Sequence, residues 1–306
     1  MALSRIFSIF LLIAVGYVTR KTKLLEENGI RAVSNLVLTI ALPCTIISSF
    51  DRSIPFSAAK DLIEVAIYAI AIHGISIALS EILFSKMERT KQKILIYATV
   101  FSNCGFMGFP LAESIFGPSS LMYVSIYVMI FNIFTWSYGV ALLSRGENSD
   151  QKTKKTKIRD MLLNPGIIAV AIGFILWILP FSMPRTISYA IALIANCTTP
   201  LSMIVVGATL ASLGVKGLFS GMEVWIGSFM RLLVLPAIFI IFMKILKQDD
   251  FPTKVANLLV AMPAAAQTVI FAERHDADVL LASKIVFIST VLSAATIPIV
   301  AQLLQV

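Results

Sequence analysis

Two short runs of the chain set helix-breaking residues beside carboxamides inside otherwise apolar sequence. The first is Ser102-Asn103-Cys104-Gly105-Phe106-Met107-Gly108-Phe109-Pro110 and the second is Ala261-Met262-Pro263-Ala264-Ala265-Ala266-Gln267. Gly105 and Gly108 weaken a helix, while Pro110 lacks an amide donor and its ring clashes with the carbonyl of Phe106; Pro263 acts likewise in the second run. A helix broken in apolar surroundings exposes a half-helix amino terminus, whose free amides carry about half a positive charge. Two such ends brought together make an anion-binding locus, and Asn103 and Gln267 add groups able to donate and accept. A displacement of 157 residues sets Pro263 opposite Phe106. Asn103, Gly105, Gly108, Pro110, Pro263 and Gln267 are therefore the substrate-binding candidates, with ordinary kinks and small-residue packing as the plainer reading.

Ionisable residues stranded in apolar sequence come next, because each costs about 2.5–3.5 kcal/mol at the centre of a membrane helix. Arg231 offers a fixed charge and a planar fork suited to a carboxylate, either a ligand's or that of Glu223, Glu64 or Glu113. Glu113, three residues past Pro110, could carry a coupling proton or a packed ion pair. His73 could titrate near neutral pH or simply pack. Lys284 could serve the site or snorkel to the interface. Arg231 joins the substrate-binding candidates, while Glu113, His73, Lys284 and Glu64 form a possible coupling or charge network.

The elements that must position these groups follow from composition. The 306 residues are 58% hydrophobic and 14% charged, against about 45–50% and 25% in soluble chains. That excludes a water-soluble globule and leaves no room for a separate catalytic or nucleic-acid-binding domain. Ten apolar stretches emerge, at 4–19, 30–50, 60–84, 94–116, 119–143, 164–181, 186–213, 217–245, 254–273 and 279–304. Sixteen of the 25 Lys and Arg residues fall beside the links after the odd-numbered stretches and seven on the opposite side. This bias predicts both termini outside and the basic segment 146–159 in the cytoplasm. That segment separates a first half, 1–145, from a second, 160–306. Five stretches per half force opposite insertion, so the expectation is an all-α integral membrane protein with a five-plus-five inverted repeat, broken at the fourth and ninth spans. Cys44, Cys104 and Cys197 lack ligand spacing, and no nucleotide-binding lysine loop or hydrolase motif is present; no cofactor, metal or enzymatic activity is expected.

The run Asn103 to Ala112 resembles the fourth-span signature of prokaryotic members of the auxin efflux carrier family of permeases. So do Leu42-Pro43, Asn164-Pro165-Gly166-Ile167-Ile168, Pro200 to Gly207, Met262-Pro263-Ala264-Ala265, and Ser289-Thr290-Val291-Leu292-Ser293 with Thr296 and Pro298. The resemblance implies a fold similar to the bile acid sodium symporters, in which broken helices 4 and 9 cross. It further implies a scaffold of spans 1, 2, 6 and 7, a transport domain of spans 3–5 and 8–10, and a homodimer in the plasma membrane. Family substrates include auxin in plants and dicarboxylates such as malonate or malate in bacteria. The expected function is thus export of a small organic anion by alternating access, the alternative being a non-transporting membrane receptor for the same ligands. Plant members place a second Asn near the span 9 crossover; this chain offers Gln267 or Asn257 there.

Overall fold

The computed structural model describes residues 2–50, 58–144, 163–178, 183–213, 217, 219–248, 250–275 and 277–304. The basic segment 146–159 lies outside these residues. Regular backbone within them is helical: α1 Ala2–Lys21, α2 Glu27–Ser49, α3 Ala59–Leu83, α4 Arg89–Val100, α5 Cys104–Phe116, α6 Ser120–Leu143, α7 Pro165–Ile178, α8 Arg185–Ser212, α9 Met222–Ile245, α10 Phe251–Val260, α11 Gln267–Arg274 and α12 Val279–Leu303. Among the described residues, six helices (α2, α3, α6, α8, α9 and α12) are long and apolar enough to cross a membrane. Their 23 to 28 residues reach about 35 Å or more, enough for a hydrocarbon layer of about 30 Å. Outward-facing positions are apolar too: Ile63, Ile67 and Ile70 on α3 are all exposed. A water-facing helix would carry polar groups there, whereas these suit lipid.

Among the described residues, five-residue π turns occur at Val37–Ala41, Cys104–Gly108, Thr135–Gly139 and Met230–Val234. In three of them the central residue, Thr39, Phe106 or Leu232, stands four positions before a proline, Pro43, Pro110 or Pro236. That is the carbonyl with which the proline ring would collide, and the wider turn gives it room without breaking the helix. The run Gly105 to Pro110 therefore belongs to α5 and is continuous. The interruption lies just before it, at Phe101–Asn103, where the chain leaves the helix with Phe101 extended. In the second run it lies at Ala261–Ala266, around Pro263.

Helices α1 and α8 meet backbone to backbone. A β-carbon on Gly16 would fall on the Ile204 carbonyl, and one on Gly207 on the Ile13 carbonyl. Only glycine permits this approach, which in an apolar solvent replaces the missing hydrophobic drive by close van der Waals packing.

Candidate functional site

The two interruptions meet. Ser102 and Ala264 form an isolated antiparallel bridge, flanked by Asn103 N donating to Pro263 O at 2.8 Å and Ala265 N donating to Phe101 O at 3.0 Å. Pro263 thus stands in space against Asn103 rather than Phe106. Extended backbone in a membrane is costly unless its polar groups are satisfied, and here each interruption satisfies the other. Ala264 N is held in turn by Ser289 Oγ of α12 at 3.2 Å.

Four helix ends converge on this crossing. The Asn103 carbonyl accepts from Met107 N and Gly108 N at 3.1 and 3.3 Å, which opens the π turn of α5 and leaves the amides just before them without an intrahelical acceptor. The Asn103 side chain is 4% exposed, and its carboxamide makes no hydrogen bond among the described residues. Gln267, at the start of α11, also leaves its Nε2 without an acceptor there. Gly105 borders open space, while Gly108 admits Leu259 of α10, whose Cδ2 would lie 2.7 Å from an added β-carbon. Asn257, the other candidate second amide, is fully buried and donates to Tyr68 Oη and Thr253 O at 3.2 and 3.0 Å. The unpartnered atom of Asn257 is its acceptor Oδ1, whereas that of Gln267 is the donor Nε2.

Arg231 is 2% exposed and lies in the π turn of α9. Its Nε donates to Met262 O at 3.0 Å, its Nη1 to Thr99 O at 2.7 Å and Val100 O at 3.3 Å, and its Nη2 to Val260 O. These carbonyls belong to the ends of α4 and α10 and to the turn after α10. The carboxylates considered from sequence lie elsewhere. Glu223 pairs with Lys91 at 2.7 Å, Glu64 is half-buried on α3 without an ion pair among the described residues, and Glu113 accepts from Thr199 Oγ1 at 3.5 Å. Lys284 donates to Ser220 O and Oγ at 3.3 and 3.0 Å, a contact near the helix end. Its neighbour, the Lys91–Glu223 pair, was not anticipated: the two residues are remote in sequence and meet only through packing.

Glu113 borders a cavity of about 410 Å³ between α2, α5, α6 and α8, lined also by Thr45, Ser49, Phe109, Asn196 and Thr198. Its volume falls within the range of small-molecule pockets, and its lining carries several hydroxyls. Phe109 and Glu113, four residues apart on α5, turn the same helix face to it. His73 is placed apart from the cavity: its Nδ1 bonds Ala69 O at 2.7 Å within a cluster of Phe101, Tyr127, Phe131 and Phe134.

The model of the family described as membrane transport protein matches residues 1–301. The chain belongs to this family, that of the auxin efflux carrier permeases. Among the permeases, it is 24% identical over 299 residues to an uncharacterised transporter of Methanocaldococcus jannaschii, covering 94% of each chain. An uncharacterised transporter of Methanothermobacter thermautotrophicus is 26% identical over 300 residues, covering 96% of this chain and 95% of the relative. The uncharacterised transporter YfdV of Escherichia coli is 23% identical over 275 residues, 88% and 86% of the two chains.

Proposed function

We propose that this permease is a secondary carrier for a small organic anion, an auxin-like monocarboxylate or a dicarboxylate, bound where the interruptions meet. The observation that carries the reading is the convergence of the amino ends of α5 and α11 with the buried carboxamide of Asn103 and the unpartnered Nε2 of Gln267. Such ends favour a carboxylate by charge and by free donors. Ten crossings follow if α4 with α5 and α10 with α11 each count as one interrupted span, joined by α1, α7 and the six long helices. The interrupted spans are then fourth in each half, which supports a five-plus-five inverted repeat and alternating access. We place both termini outside the plasma membrane and read the working unit as a homodimer. Export needs no coupled ion, since an anion leaving a negative-inside cell gains about 2.3 kcal/mol per charge per 100 mV.

Proteoliposome counterflow with labelled indole-3-acetate, malonate and malate tests the proposal. Saturable flux of at least one is expected, and Asn103→Ala should raise its KM about tenfold or more, the worth of a hydrogen bond to a charged group. No saturable flux of any of the three, or an Asn103→Ala protein with unchanged KM, would overturn it.

A further inference from the structure

The helix ends at the crossing carry opposite signs. α4 and α10 finish there with carbonyls that their own helices leave unsatisfied, and α5 and α11 begin there with the amino ends of their dipoles, where Thr268 N and Val269 N of α11 already turn onto Ala265 O and Ala266 O. Each carboxyl end is worth roughly half a negative charge and each amino end roughly half a positive one, so the four ends alone sum to about zero. An anion drawn to the amino ends would meet the carboxyl ends at nearly the same distance. The backbone crossing by itself is therefore a poor anion site.

Arg231 alters that balance. Its guanidinium donates to Thr99 O and Val100 O at the end of α4 and to Val260 O and Met262 O at and just beyond the end of α10. It is the only permanently charged side chain buried among the described residues, so no buried carboxylate there competes for it. We infer that Arg231 is a positioning residue that neutralises the carboxyl ends of α4 and α10 and leaves the crossing with the net positive field of α5 and α11. The full charge cancels the two half charges of the carboxyl ends, and the two amino ends then leave about one positive unit, the complement of a single carboxylate. Arg231 does this through the helix ends and touches no ligand. The planar fork lets one side chain reach four carbonyls on two helices, while the field is set by the charge, which lysine would keep. The functional meaning of this assignment rests on the anion-carrier reading; the field itself does not.

Charged thiol reagents read the field without any transport assay. In the full chain, with Cys44, Cys104 and Cys197 replaced by serine, Gly105→Cys places a thiol at the crossing, where an added β-carbon meets no atom within 4 Å. Its reaction rates with an anionic and a cationic methanethiosulfonate of similar size are compared in detergent. The anionic reagent is expected to react faster. Arg231→Met, which keeps length and removes charge, should lower the anion-to-cation rate ratio about tenfold or more, and Arg231→Lys should hold it within about threefold. A ratio unmoved by Arg231→Met, a faster cationic reagent with Arg231 intact, or no reaction with either reagent would overturn the assignment. Should Arg231→Met fail to fold, the Arg231 protein and the lysine variant still decide, through the sign of their preference. Absence of anion flux with the expected ratios would sink the carrier reading alone, and flux with unmoved ratios would sink the role of Arg231 alone.

Discussion

The imidazole of His73 is 1% exposed, and its Nδ1 lies 2.7 Å from Ala69 O. A carbonyl only accepts, so the proton sits on Nδ1 and Nε2 is left as an acceptor, without a partner among the described residues. The ring lies nearly parallel to Phe134, with centroids 5.1 Å apart, and close to Tyr127 and Phe131. These contacts are those of a flat packed ring, the plainer reading of His73. His73→Phe should accordingly keep the fold, losing about 1 kcal/mol for the hydrogen bond, and leave the pH profile of transport unchanged. A thermal melt and a flux-against-pH series check both; a flattened pH profile would restore His73 to the coupling machinery. Asn103 shows the contrasting case of a buried carboxamide with no side-chain partner among the described residues, which is why substrate contact is proposed for it.

At the scale of elements, glycine and proline do different work from what their positions first suggest. The approach of α1 to α8 depends on Gly16 and Gly207, each with a facing carbonyl where a side chain would go. Gly207→Val should therefore push the helices apart and cost about 1–3 kcal/mol or more through overpacking, seen as a lower unfolding temperature, whereas Gly105→Ala should leave that temperature unchanged. Equal melting of the two variants would contradict the contact. The second interruption was legible in the sequence, because Pro263 stands inside it. The first was not, because Phe101, Ser102 and Asn103 carry no breaking residue, and the two glycines that follow lie in a π turn that accommodates Pro110 after it. That turn has its own signal, the residue four before the proline, which Pro43, Pro110 and Pro236 share. Arg231 was recognisable as a costly charge, but its partners are main-chain carbonyls brought in by packing, and no side-chain pattern encodes them.

For the whole molecule, composition alone identified a membrane protein of apolar helices, and the placement of basic residues led to the proposed orientation. A single cysteine within 146–159 should react with an impermeant maleimide only in inverted membranes, and one within 51–57 only in intact cells. The reverse pattern would invert the topology and with it the direction of the export reading. The Ser102–Ala264 bridge bears on how such a chain is made. The hydrogen bonds on either side of it, Asn103 N to Pro263 O and Ala265 N to Phe101 O, each join a group translated early to one translated some 160 residues later. Until the second interruption leaves the ribosome, the first sits with unpaired backbone, at a cost of several kcal/mol per group in lipid. Completion of the crossing is thus a late event of biogenesis, and a chain halted after its first half would present membrane quality control with an unfinished helix.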